Sequence, residues 1–215
     1  MHILNCFLAI AVFTGGSSRA GGSGQPSAVR HCAPVDEAAQ TPDFFSFRAR
    51  LQQAVAARDI DAILDVVASD IRISFGPENG FEAFRREWRV NDPESPLWLE
   101  LGTVLSLGGY FEKANAFVAP YTFRCGSAFD DLVVTGHNVN VRASPSPTAA
   151  VLRTLSFAVV RGHARGSGDG WSEVRLPDGQ KGFIASQYVR SPIDYRAYFV
   201  RFGSSWRMAL FVAGD

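Results

Sequence analysis

Four aspartates crowd one stretch of the chain, Asp59, Asp61, Asp65 and Asp70, and a positioned carboxylate can serve as a general base. Their spacing suits another role better. Asp59 directly precedes the apolar positions Ile60, Ile63, Leu64 and Val67, where it reads as a helix N-cap, and the others fit a solvated helix face. His31, His137 and His163 stand in separate contexts without the spacing of metal ligands. Cys125 lies twelve residues before His137, but no third group is in place to orient such a pair. No glycine-rich phosphate loop and no nucleophile elbow occurs. The run "GHARGSGDG" is rich in glycine but falls between strand-like segments and reads as a flexible loop. Basic residues do not interleave with aromatics in a nucleic-acid pattern. The expectation is therefore no catalytic residue, no metal, no cofactor and no nucleic-acid partner.

The elements around these residues are legible from periodicity. Thr41-Pro42-Asp43 opens a helix, with Thr41 as N-cap, Pro42 at the first helical position and Asp43 near the positive end. Phe44, Phe47, Leu51 and Val55 form its apolar stripe. The Asp59 cap opens a shorter helix reaching Val67. Ile71, Ile73 and Phe75 alternate as on a half-buried strand. "GPENG" is a turn, Phe81, Phe84 and Trp88 mark a third helix, and "NDPESP" breaks it. Trp98, Leu101 and Leu105 mark a fourth, ended by Gly108-Gly109, and "AFVAPYTF" reads as extended. At the far end "YRAYFVRF" and "WRMALFVAGD" predict two strands around "GSS". Tyr195, Ala197 and Phe199 would share one face, and Trp206, Met208, Leu210 and Val212 one face of the partner.

Residues 133–190 differ in kind. "VNVRASPSP" runs from a strand into a proline loop. "GDGWSEVRL" places Trp171 and Val174 on a strand, Asp178-Gly179 signals a hairpin, and "GFIASQYV" closes the segment. About five short strands separated by Gly, Pro and Asp turns predict a small closed barrel, since closure removes exposed edges. Asn140, Val141, Arg142, Pro145, Gly170, Trp171, Val174, Asp178, Gly179, Gly182, Phe183 and Tyr188 resemble, in register, the pattern of a bacterial SH3-like (SH3b) domain. Phe183 stands where that family often has Trp. The resemblance covers about 55 of the 215 residues and implies a non-catalytic barrel that binds cell-wall material or peptides. Arg142, Trp171 and Tyr188 are the candidate binding residues. Two of them have a structural reading too: Arg142 as a brace for the loop after its strand, Trp171 as core or rim. The stretch that builds the proline-peptide groove of eukaryotic SH3 domains is absent.

The pieces "FRARLQQAVAARDIDAILDVVASDIRISFG", "NGFEAFRREW" and "YFVRFGSSWRMALFVAGD" resemble the cone-shaped fold of nuclear-transport-factor-like proteins. That resemblance implies that residues 191–215 complete the domain formed by residues 41–132. The fold class is then α+β, a helix-rich region with a small all-β barrel inserted before a C-terminal β-hairpin. Between Leu97 and Thr135 there is a helix and too few strands for the family's curved sheet. The cone fold also implies an alternative function, a small-ligand or enzymatic pocket with the barrel as accessory, carried by a buried Asp or His near Tyr121.

Charge separates the same regions. Lys and Arg equal Asp and Glu at 21 each, yet residues 21–132 hold 10 basic and 16 acidic residues, and residues 133–190 hold 7 and 3. The split reads either as two solvated surfaces of different bias or as a basic second region that favours an anionic partner such as a cell-envelope polymer. Ile3 to Phe13 is almost continuously apolar and Ser18-Arg19-Ala20 follows, so residues 1–20 resemble a secretory signal peptide cleaved after Ala20, although "MH" carries no Lys or Arg. Cys6 lies within the apolar run without a lipobox. Residues 21–40 read as a linker or loosely held arm. No other segment is fit to span a bilayer. An exported chain would keep Cys32 and Cys125, which form a disulfide or remain two buried thiols. The expected protein is periplasmic or secreted, and its barrel binds peptidoglycan or an envelope protein.

Overall fold

The computed structural model describes residues 29–126, 129–162 and 170–214. The segment read as a signal peptide, the first part of the arm, His163 and most of the glycine-rich loop lie outside the described residues. In chain order the elements are β1 (Arg30–His31), α1 (Pro42–Ala57), α2 (Ile60–Leu64), β2 (Val67–Arg72), α3 (Phe81–Glu87), α4 (Leu97–Ser106), β3 (Tyr110–Lys113) and β4 (Ala116–Ala119). There follow β5 (Asp131–Val134), β6 (Val139–Arg142), β7 (Val151–Leu155), β8 (Ala158–Gly162), β9 (Trp171–Arg175), β10 (Lys181–Ala185) and β11 (Val189–Arg190). The chain ends in β12 (Arg196–Phe202) and β13 (Ser205–Val212). The mixed α+β class is as expected.

One sheet has the order β2-β13-β12-β4-β3, with β13 parallel to β2 and the other pairs antiparallel. The chain leaves this sheet after β4 and returns to it at β12. The four helices cover one face. Phe44 is fully buried there, its ring centroid 4.3 Å from Phe117 and 4.7 Å from Trp206. Leu51, Phe84, Leu97, Leu101, Leu105, Phe199, Met208 and Phe211 belong to the same core. Burying each such side chain contributes about 1.5–3 kcal/mol.

Several boundaries differ from the sequence reading, each for a local reason. α2 stops at Leu64, and the β-branched Val66-Val67 pair leads into β2 instead of extending the helix. β2 therefore ends at Arg72. Beyond it, the Asn79 side-chain oxygen accepts the N–H groups of Ile73 (2.8 Å) and Ser74 (3.1 Å), which takes that backbone out of the ladder. Phe75 is 48% exposed beneath the guanidinium groups of Arg72 and Arg196 rather than in the core. "AFVAPYTF" is extended only to Ala119. A cis Ala119–Pro120 bond and a 3-10 turn over Tyr121–Arg124 follow. Thr41 makes no side-chain cap bond, whereas Asp59 accepts the Ala62 N–H at 3.1 Å as expected.

The last hairpin carries a bulge. Phe199 pairs with Met208, yet Tyr198 pairs with Leu210, so Ala209 is the extra residue. The two faces of β13 exchange there: Trp206, Met208 and Phe211 join the core, and Leu210 lies opposite Tyr198 on the other face.

The second sheet has the order β11-β5-β8-β9-β10-β6-β7, with β1 added on β8. It is not the closed barrel that was expected. Among the described residues, β11 has two residues and pairs only with β5, and β7 pairs only with β6, so the ladder ends at both. Pro192, which has no N–H to offer, follows β11 closely and helps stop its extension. Leu132, Val134, Val139, Val141, Leu155, Val160, Val174 and Ile184 fill the interior. The Asp178-Gly179 hairpin forms, but only Gly179 takes a positive φ, +84°.

The described part of the arm is fastened, not loose. β1 pairs with β8, and Cys32 is bonded to Cys125, their Cα atoms 5.6 Å apart across a sequence separation of 93. Cys32 packs with Tyr121, Val133 and Val159, so this small cluster joins the two sheets. Farther along, Arg48 grips Asp36 with two bonds of 2.6 Å, and the Phe111 N–H donates to Glu37 at 2.8 Å.

Candidate functional site

Among the described residues, the interior beneath the helices is packed with buried side chains. Phe44, Phe117, Phe199, Leu101 and Met208 are all fully buried against one another. Asp59, Asp61, Asp65 and Asp70 are exposed and face away from that core. Asp65 contributes its backbone oxygen to Arg207. A shallow cleft of about 370 Å³ does hold Asp36 and Tyr121 together. Burial pushes the Asp36 carboxyl up, but hydrogen bonds from Arg48 and the Ala38 N–H, with the Arg48 charge, outweigh it and hold it below the usual range. A carboxylate gripped in this way is a structural anchor and a poor base. Among the described residues no cluster of three or more His, Cys, Asp or Glu could hold a metal, and no helix is long and apolar enough to cross a membrane.

The three residues singled out from sequence are not gathered into one site. Arg142 donates to the Ala149 carbonyl at 2.7 Å and so closes the loop after β6. Trp171 is half-buried at the start of β9, opposite Ala185. Tyr188 is exposed at the end of a 3-10 turn, and its carbonyl accepts the Thr135 N–H at 3.0 Å. β10 separates Arg142 from Trp171, and Tyr188 lies past the end of β10.

The register of the second sheet brings other residues together. Asp131 stands opposite Arg161, Arg161 opposite Arg175, and Arg175 opposite Lys181. Directly paired residues share a face, so these four make one row across β5, β8, β9 and β10. The ends of the row are compensated. Asp131, 4% exposed, is bridged by Arg30 at 2.6 Å, and Lys181 pairs with Glu173 at 2.6 Å. In the middle, Arg161 and Arg175 are exposed and form no ion pair among the described residues, although Arg161 stands opposite Asp131.

A cleft of about 610 Å³ opens beside this pair. Its origin lies in the pairing of β8. β1 takes Ala158 and Val159, while β9 takes Arg161 and Gly162. The gap between them is lined by Arg30, Val159, Val160, Arg161, Arg175 and Leu176, with Asp130 also at its wall. Sequence reasoning missed Arg161 and Arg175. Alternation around the inward Val160 and Val174 points both outward, but only strand register makes them neighbours.

No family model and no curated protein matches the chain. Among solved structures, an NTF2-like protein of unknown function from Pseudomonas putida KT2440 aligns at 16% identity, over 81% of this chain and 84% of its own, with a TM-score of 0.28. A superposition at that score does not establish a shared fold.

Proposed function

We propose that this chain is an exported, non-catalytic binding protein, periplasmic or secreted, whose residues 133–190 form an SH3b-like module for anionic envelope material, peptidoglycan or an envelope protein. The observation that carries this reading is the exposed Arg161–Arg175 pair, without an ion pair among the described residues, on the outer face of the module. It agrees with the basic bias of that segment, and the bonded Cys32–Cys125 pair suits an oxidising compartment. Residues 41–132 and 191–215 act as one supporting α+β unit interrupted by the module, in the manner of the cone fold. Arg142 and Trp171 share the outer face with the cation row and would border a bound polymer. The alternative, a ligand pocket or enzyme within the cone, has less support because aromatic side chains fill that interior.

Sedimentation with purified peptidoglycan sacculi tests the reading. Retention is expected at low salt and should weaken at moderate salt, as an interaction between exposed charges is screened. No retention at either salt would remove the wall-binding version. Fractionation of expressing cells should find a chain shortened by the first 20 residues outside the cytoplasm.

A further inference from the structure

We propose that the cleft between β1 and β9 is an oxyanion site, in which Arg161 and Arg175 together hold one carboxylate or phosphate group of the bound ligand. The proposal rests on the reading that the second sheet binds anionic material, and it names where and by what chemistry.

Two arginines placed directly opposite on neighbouring strands repel each other, and like charges in that position destabilise a sheet. Here Lys181 extends the row by a third cation, and two of the nearby acids are paired with other cations. Glu173 is taken by Lys181, and Asp131 by Arg30. A guanidinium presents several N–H donors in a fixed fork that matches the two oxygens of a carboxylate or the edge of a phosphate. Two such forks on strands about 4.8 Å apart can converge on a single oxyanion. The wall of the cleft adds to this. Val159, Val160 and Leu176 supply apolar surface, which excludes water and strengthens a charge contact made beside it.

Asp130 narrows the choice of ligand. This residue lines the same cleft, so a second negative charge close to it would be repelled. The site therefore fits a singly placed oxyanion whose neighbouring part is apolar or cationic, rather than a run of closely spaced phosphates. A ligand oxyanion also neutralises the Arg161–Arg175 repulsion, so binding and sheet stability are linked.

The test is thermal unfolding of the purified chain in inorganic phosphate, in acetate, and in chloride at matched ionic strength. One of the two oxyanions should raise the midpoint above that in chloride, increasingly with concentration. The more effective of the two identifies the source as phosphate or carboxylate. The Arg161→Gln/Arg175→Gln double variant should lose that rise, and its midpoint in chloride should equal or exceed the wild-type value because the repulsion is gone. Arg153→Gln, on exposed β7, changes net charge as Arg175→Gln does and should keep the response. A wild-type midpoint no higher in either oxyanion than in chloride, or a rise that persists in the double variant, would overturn the proposal. If the wild type sediments with sacculi but ignores both oxyanions, this site is wrong and the wall-binding reading stands. An oxyanion response without sedimentation leaves the site in place and removes the wall as its target.

Discussion

At the scale of single residues, charge is managed by burial and partner. Arg48 is nearly buried and depends on Asp36, which water partly reaches. Asp36→Ala should cost about 1–3 kcal/mol, read by chemical denaturation, because a buried guanidinium loses its carboxylate. Asp36 has a folded-state pKa below its ordinary 3.8, so its contribution is present above that value and is lost as pH falls through the lower folded one. Glu100 behaves in the opposite sense. Burial, then the nearby Asp194, raises its pKa above the ordinary 4.5, and Arg190 offsets only part of this. Its contribution is full below 4.5 and is lost as pH rises through the folded value. Glu100→Gln should accordingly raise the melting temperature at pH 7, with the gain shrinking as pH falls toward 4.5.

At the scale of elements, the sequence was readable where periodicity was strong and local. The stripes Phe44, Phe47, Leu51, Val55 and Phe81, Phe84, Trp88 became α1 and α3 as their spacing required. β3 was missed because "YFEK" is short and shows no alternation against its neighbours; its pairing with β4 defines it. The end of β2 was misplaced because Asn79 captures two backbone N–H groups from across a turn. Asn79→Ala should free that segment at a cost of about 1–3 kcal/mol, measured by denaturation, through the two donors left without their acceptor. The face exchange in β13 depends on Ala209, and no pattern of apolar residues marks a bulge in advance. The candidate site was invisible for the same reason. Alternation gives the side of a strand, and only register gives the neighbour.

At the scale of the whole molecule, two sheets are joined by a small apolar cluster and one covalent link. The Cys32–Cys125 bond ties the arm to the end of the 3-10 turn that follows β4 and closes a loop spanning 93 residues. The chain-entropy model assigns a loop of this size about 4–5 kcal/mol. Reduction, or Cys32→Ser with Cys125→Ser, should lower stability in that direction, and intact-mass comparison with and without reductant should reveal the bond. The net charge of zero conceals an acidic bias over residues 21–132 and a basic bias over residues 133–190, and on the function proposed above the first unit supports while the second makes contact. Salt-dependent sedimentation of the wild type and the Arg161→Gln/Arg175→Gln variant with purified sacculi tests this most directly. The wild type should be retained at low salt, less so as salt rises, and the variant should be retained less at every salt. A wild type that stays in solution throughout would contradict the account.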